Sequence, residues 1–535
     1  MQRRYYILFA LIVLVYFTGM LCDVMAVDAA QYAEMSLEML RTHSFLKIHA
    51  LGADYLDKPP LLFWLNSISF YLFGAGNFSY KLPSLLFAIL GIYSTYRFAA
   101  LYYSRQTAVH AAIILASTQA LFLITNDVRT DTLLMGSVIF AIWRWAQYLE
   151  TGRLKHMLWG CAGVGLALLS KGPIGVIVVG AAIVPHTLLK GKWRALFNWQ
   201  IILGLGIIAL MLTPMCIGLY QQFGMKGLRF YFWTQSFGRI TGESEWNNHP
   251  DTFFLMHTTA WAFMPWTLFL IGGWVSSLIA MVRSRVSMKE MISVSGFTLT
   301  LIALMLSKYQ LPHYIFVVYP LGAVMAATFY DELRSKATAF RIATIIQSSI
   351  LVAIFMVAVL LQYCFRGMDG WSLSCLIILS VSVLAMAFKK QGIFALSVLT
   401  ILAFNFMFSL FYFSDIMKYQ VGGDFGRYVK FRRTKDTAFV SYKYLAGYEE
   451  AFYSHGPPAI DLWDIGHVNE MLNNKPKLIV ITSPEGMNEL KASGLKVNVV
   501  SERLAYKVSV LTVTFLNPAT RESVCHKVYL LEVKK

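Results

Sequence analysis

Long apolar runs separated by short polar breaks fill the first 415 residues of the chain. A helix that crosses a bilayer needs about 20 mostly apolar residues. Thirteen windows meet that criterion: 5–22, 80–102, 107–125, 131–149, 156–170, 173–189, 199–220, 253–281, 291–307, 311–330, 340–362, 370–388 and 392–414. The pattern predicts a polytopic α-helical membrane protein with about 13 transmembrane helices. One further run, "LFWLNSISFYLFGA" at 62–75, is short and carries Asn66, Ser67 and Ser69, so it reads as an interfacial or half-inserted helix. The first window follows Arg3 and Arg4, as a signal peptide would. It is long enough to span and has no small-x-small cleavage pattern, so it reads as a retained first helix.

After Phe413 the pattern changes. Alternating or short apolar runs at "TAFVSYKYL", "KLIVITS" and "KVYLLEV" predict strands, and "SPEGMNELKAS" predicts a helix. The chain thus divides into a membrane domain, 1–415, and a small C-terminal α/β domain, 416–535. Within the membrane domain, 23–79 and 221–252 read as the large outer loops.

Composition agrees with this division. Hydrophobic residues make up 57 % of the chain, charged residues 14 %, and the mean hydropathy is +0.56. A soluble protein carries roughly a quarter charged residues. The formal charge of +17 would ordinarily point to nucleic acid or another anionic partner. Here topology accounts for it. With the N-terminus in the cytoplasm, every inner loop is basic: Arg3/Arg4, Arg105, Arg153/Lys155, Lys190/Lys192/Arg194, Arg283/Arg285/Lys289, Arg334/Lys336/Arg341 and Lys389/Lys390. An odd number of spans then places the C-terminal domain outside, and no nucleic-acid partner is called for. The six cysteines are scattered and suggest neither a disulfide framework nor a metal site.

The remaining charges collect on the outer side. Lys58 stands in "YLDKPPLLFW", next to Asp57 and close to Tyr55. Lys171 stands in "LSKGPIG", Arg239 in "FGRITGES", and Lys308, His313 and Tyr314 in "SKYQLPHYIFVVYP". Asp28 and Asp131 each head a predicted helix. Each has an ordinary local explanation. Asp28 with Gln31 resembles a capping box, Asp131 complements a helix dipole, Lys171 snorkels, and Tyr314 belongs to an interfacial aromatic belt. Together they are harder to dismiss, because cations at a membrane edge are costly unless they face an anion or a cavity. Several cations with a few carboxylates at one leaflet suit a lipid-linked phosphate and an acid/base or electrostatic carboxylate.

"VDAAQYAEMSLEML", "YLDKPPLLFWL", "RTDTLLM", "LSKGPIG", "FGRITGES" and "SKYQLPHYIFVVYP" follow one another along the chain. In that order they resemble the bacterial polyprenyl-phosphate-sugar glycosyltransferases of the protein O-mannosyltransferase-like superfamily. Among these, the lipid A aminoarabinose transferases are the most similar. The resemblance implies a GT-C fold in the bacterial inner membrane, with the C-terminal domain in the periplasm. It also implies an inverting transfer of a sugar from undecaprenyl phosphate to a lipid A-like or other envelope acceptor. Carried over residue by residue, Asp28 matches the family's catalytic aspartate and Asp131 a second carboxylate. Lys58, Arg239, Tyr314 and Tyr55 match the contacts to the carrier phosphate. Asp57, Lys171, Lys308 and His313 are further candidates. The chain departs from the family at Ala29 and Gln31, where Glu and Arg are usual, and this leaves the acceptor open. No cofactor is required by this scheme. A divalent metal would find Asp57 and His249 as its first candidates, without a full ligand set.

Two other classes are compatible with many spans. A transporter or flippase of lipid-linked intermediates would be expected to show internal repeats and broken mid-depth helices. The chain has no repeat, and its charges gather at one face. An envelope scaffold would leave the outer cations without a purpose.

Overall fold

A computed structural model of the chain describes residues 3–235, 238, 248, 251–283, 288–388, 392–456 and 460–535. The expectation of about 13 transmembrane helices is overturned. Among the described residues, five helices are long and apolar enough to cross a membrane: Asn77–Tyr102, Ile201–Phe223, Pro312–Leu333, Ala337–Phe365 and Ile393–Met417. A sixth span arises if Arg105–Ala116 and Gln119–Asn126, bent by 50° at their junction, are counted as one. Six more apolar helices have 10–17 residues: Tyr5–Met20, Leu61–Phe73, Ile174–Leu189, Thr267–Arg283, Ile292–Met305 and Gly370–Ala385.

The physical reason is that a hydropathy window averages over breaks. The window 107–125 breaks at Ser117 and Thr118, and the Thr118 hydroxyl accepts from Leu121 N to begin the next leg. The window 253–281 divides into Phe254–Ala262 and Thr267–Arg283 around Pro265, which has no N–H to continue the first helix. The window 311–330 opens as a tight 3₁₀ turn, Pro312–Val318, but runs on into the α-helix Tyr319–Leu333 and keeps the length to cross. With the count overturned, the loop-by-loop alternation of charge no longer has a footing. The 62–75 run forms the 13-residue helix Leu61–Phe73, short for a span.

The loop between the first helix and Asn77–Tyr102 folds around the amphipathic helix Asp28–Thr42. Its Ala29, Ala30, Tyr32, Ala33, Met35 and Met39 are buried, at helical spacing. Tyr32 packs edge-on against Phe63, with ring centroids 5.8 Å apart. Ser67 Oγ donates to Ser36 O at 2.7 Å, and the Tyr80 hydroxyl donates to Ala29 O at 2.6 Å. These contacts pin the start of the helix.

The C-terminal domain is a five-stranded sheet. We name its strands β1 (Thr437–Tyr442), β2 (Ile460–Leu462), β3 (Lys477–Thr482), β4 (Lys496–Ala505) and β5 (His526–Lys534), in the order β2-β1-β3-β5-β4. β1 runs parallel to β2 and β3, and β5 runs antiparallel to β3 and β4. β3 is covered on both sides. Leu478 and Val480 pack with Val468 and Leu490, while Ile479 and Ile481 pack with Phe425 and Val429 of helix Gly422–Arg432. Two-sided cover explains its unbroken apolar sequence. The predicted strands and helix are present. β2 and β4 were not predicted, because their exposed positions blur the alternation.

This domain clamps the loop that leads to Asp28. Arg427 forks onto Asp23, with Nη1 and Nη2 donating at 3.0 and 2.9 Å. The Tyr453 hydroxyl accepts from Val24 N at 2.7 Å and donates to Asn77 Oδ1 at 2.6 Å. Gln420 Nε2 donates to Val24 O at 2.9 Å. Burial disfavours the Asp23 charge, but the Arg427 hydrogen bonds outweigh it and hold the carboxyl below its ordinary value.

Candidate active site

Three ion pairs, two of them between distant parts of the chain, assemble the site. Asp131, in the first turn of helix Thr130–Thr151, accepts from Lys171 Nζ at 2.6 Å and lies 3.7 Å from His313 Nε2. Its side chain is only 4 % exposed. Lys171 ends helix Leu154–Lys171, where Gly172 (φ +85°) and Pro173 turn the chain. The lysine therefore does not snorkel into solvent: it is paired and lies 4.0 Å from the centre of the Tyr314 ring.

The second pair is local. Lys58 Nζ donates to Asp57 Oδ2 at 2.5 Å, in a bend just ahead of Pro59 and Pro60. Gln235 Nε2 donates to the Asp57 carbonyl, and the Tyr55 hydroxyl bonds the Asp57 carboxyl. Burial, then the Asp57 and Asp28 charges, raise the Tyr55 phenol well above its ordinary value. Tyr55 is therefore a neutral donor at any physiological pH.

The third pair replaces the expected cap. Asp28 is the first residue of its helix, and the N-cap position belongs to Val27, which makes no side-chain cap. Asp28 Oδ2 instead accepts from Arg129 Nη1, 101 residues away, while Arg129 Nε donates to Asp127 Oδ2 at 2.8 Å. Burial opposes the Arg129 charge, yet Asp127 and Asp28 raise its basicity above the ordinary arginine value. Gln31, the other half of the expected capping box, donates to the Tyr448 hydroxyl of the C-terminal domain at 3.0 Å.

These groups line two cavities. The smaller, about 760 Å³, has Lys58, Lys171, Gln235 and Tyr314 as its polar wall, with Ile174, Ile177 and Leu304 as its apolar wall. The larger, about 2020 Å³, is lined by Asp28, Asp127, Arg129 and His313, and by Lys507–Leu511 of the C-terminal domain. Consecutive residues of one 3₁₀ turn, His313 and Tyr314, face different cavities. The Asp131–Lys171–His313 group thus forms part of the partition. Both chambers have mostly apolar walls; the smaller carries Lys58 and Lys171, and the larger carries the carboxylates of Asp28 and Asp127 beside Arg129.

Of the residues singled out from sequence, Asp28, Asp57, Lys58, Tyr55, Asp131, Lys171, His313 and Tyr314 come together here. Lys308 is exposed and lines neither cavity. Arg239 and His249 lie outside the described residues. Among the described residues, no group of three or more His, Cys, Asp or Glu is disposed to hold a metal ion. Sequence reasoning missed Arg129 as the partner of Asp28. It also missed Gln235 and the Lys507–Leu511 wall, for which sequence carries no local signal.

The chain has a GT-C-like fold: apolar helices, an outlying α/β domain, and an ionic partition between two chambers. Comparison with known proteins finds this fold and partial sequence similarity. Residues 57–217 match the family model of dolichyl-phosphate-mannose-protein mannosyltransferases. The chain is 26 % identical over 321 residues to the undecaprenyl phosphate-α-4-amino-4-deoxy-L-arabinose arabinosyl transferase of Edwardsiella ictaluri, covering 58 % of this chain and 56 % of that one. It is 27 % identical over 340 residues to the enzyme of the same name from Serratia proteamaculans, covering 62 % and 60 %. The match thus spans little more than half the length of these relatives. The crystal structure of ArnT from Cupriavidus metallidurans bound to undecaprenyl phosphate superposes with a TM-score of 0.74 at 18 % identity, covering 98 % of this chain and 97 % of that one. The fold is therefore shared along nearly all of the described chain. Along part of its length the chain is similar in sequence to these transferases, along nearly all of it the chain shares the ArnT fold, and five of its described helices are long and apolar enough to cross a membrane.

Proposed function

We propose that this protein transfers a sugar from undecaprenyl phosphate to a lipid A-like or other envelope acceptor, with inversion at the anomeric carbon. The observation that carries this reading is the partition: a cation-lined apolar chamber backs onto a carboxylate-bearing one across Asp131, Lys171 and His313. The first suits a lipid-linked phosphate, the second an acceptor. In this reading the enzyme sits in the bacterial inner membrane, with its N-terminus in the cytoplasm and both chambers and the C-terminal domain on the periplasmic side. The shared fold and the lipid-linked substrates of the similar enzymes support that placement.

The acceptor oxygen forms a bond to the anomeric carbon as the bond from that carbon to the carrier phosphate oxygen breaks. The electron pair leaves with undecaprenyl phosphate. Lys58, Arg239 and Tyr314 meet the negative charge that grows on the phosphate, aided by Lys171, while neutral Tyr55 steadies Asp57 and through it Lys58. Asp131 holds Lys171 and His313 in place. With a hydroxyl acceptor, Asp28 takes the proton as general base. With a phosphate acceptor no proton is removed, and Asp28 orients the acceptor with Arg129. The scheme draws on side chains of this chain and calls for no resident metal; unchanged transfer in a chelator checks that part.

The deciding experiment incubates membranes carrying the protein with radiolabelled undecaprenyl-phosphate sugars and follows label into lipid A, other glycans and protein. Label passing to an envelope acceptor supports the reading. Label that crosses the membrane still attached to undecaprenyl phosphate overturns it in favour of a flippase.

A further inference from the structure

A second group of cations lies away from these chambers. Arg144 stands 13 residues beyond Asp131 on helix Thr130–Thr151, about 20 Å along its axis. Its guanidinium lies 3.9 Å from the centre of the Trp143 indole, and that of Arg97, from helix Asn77–Tyr102, lies 4.9 Å from the same ring. Arg97 Nη1 donates to the Tyr93 hydroxyl at 2.7 Å, and Arg144 Nη1 donates to Gln147 Oε1 at 3.3 Å. Among the described residues, neither arginine pairs with a carboxylate. Trp143 is 2 % exposed, and its Nε1 has no acceptor; the same holds for the buried Nε of Arg144.

Cation–π attraction explains why each guanidinium lies on the indole. It does not explain why two positive charges share it, nor why buried donors around them are unsatisfied. An anion with several acceptor oxygens would resolve both. We propose that Arg97, Arg144 and Trp143 form a binding site for the phosphate headgroup of an anionic membrane phospholipid, at the end of the membrane domain away from the reaction site.

The surroundings choose a lipid over a free phosphate. Leu86, Ile89 and Tyr93 are exposed on one face of helix Asn77–Tyr102, at spacings of three and four, and Arg97 follows at the next turn of that face. Twenty residues separate Asn77 from Arg97, about 30 Å of helix, which matches the thickness of a bilayer's hydrocarbon core. An apolar cleft of about 1120 Å³ against the first helix includes Ile89 and Tyr93 in its wall. It therefore reaches the residue that holds Arg97. Acyl chain and headgroup would occupy adjoining space. Arg153 and Lys155, both exposed at the start of the next helix, favour an anionic headgroup over a zwitterionic one.

The test uses the full chain purified in a non-ionic detergent, titrated separately with phosphatidylglycerol, phosphatidylcholine and inorganic phosphate, with native mass spectrometry reading retained ligand. The expected result is retention of phosphatidylglycerol at least about tenfold above phosphatidylcholine, and loss of that preference in the double variant Arg97→Gln/Arg144→Gln. Where the double variant does not fold, Arg97→Gln alone is judged by the same loss. Equal retention of the two lipids, a preference that survives the substitutions, or displacement of the lipid by an equal concentration of inorganic phosphate would each overturn the proposal.

Discussion

Around Asp131 three cations face carboxylates: Lys171 with Asp131, Lys58 with Asp57, Arg129 with Asp28 and Asp127. Around Trp143 two arginines stack on one ring with hydroxyl and amide partners only. Both groups lie in a domain built mainly of apolar helices, where an uncompensated charge is expensive. The first group is internally balanced, so its cations are held in position before any substrate arrives. The second is unbalanced and awaits compensation from outside the chain. Preorganisation serves a reaction, because donors already aimed at developing charge need no rearrangement when the bond breaks. An unbalanced site serves binding.

The comparison breaks most sharply at Lys171. Lys171→Met leaves Asp131 buried without its ammonium partner and should cost about 3–5 kcal/mol of stability, read as a fall in the thermal midpoint in detergent. Adding Asp131→Asn should recover part of that loss. If Lys171→Met is as stable as the wild type, the balance described for the partition has no energetic weight.

Lys58→Ala should leave the protein folded and reduce transfer by about 100-fold or more, because a donor to the leaving phosphate is removed. Near-normal turnover would end the role given to Lys58. Asp28→Asn keeps the shape of the side chain and separates the two acceptor chemistries. A hydroxyl acceptor predicts a loss of about 100-fold or more, whereas a phosphate acceptor predicts a smaller loss and no pH dependence from Asp28.

At Arg144 the effect on stability should be small. Arg144→Gln removes a stacking contact of about 0.5–1 kcal/mol but also relieves repulsion from Arg97, so the midpoint without anionic lipid should barely move. A loss as large as that of Lys171→Met would show that the two groups are of one kind.

Glu34, on the helix that begins with Asp28, gives the mildest test. Burial pushes its carboxyl up to about 8 and outweighs Arg41 at 3.6 Å. A folded-state value above the unfolded one means that the folded chain holds the extra proton. The contribution is full below about 4.5, the ordinary glutamate value, and is lost as pH rises through about 8. The wild-type midpoint should decline across that interval, and Glu34→Gln should decline less. Parallel pH profiles would contradict a buried neutral Glu34.

Much of this was legible in the chain before any tertiary information. The change of pattern after Phe413 marked the outlying domain, since β3, covered on both faces, must be apolar throughout. The cations ahead of apolar runs were legible because a membrane edge makes each of them anomalous. The span count was not. Averaged hydropathy does not register Ser117–Thr118 or Pro265, where hydrogen bonding stops, so windows that read as whole spans are bent or divided helices.

Residue identity, order and local pattern are properties of the sequence itself: an apolar helical domain, a mixed C-terminal domain, and a short set of charged residues too costly to be incidental. Which distant charges neutralise one another was decided by the tertiary structure alone. Asp28 offers helix-capping chemistry to any local reading, yet it meets Arg129 across 101 residues. Lys171 looks like a snorkelling lysine at a turn until Asp131, 40 residues earlier, is brought beside it. Coulombic pairing depends on distance in space, and hydrophobic packing of helices far apart in sequence sets that distance.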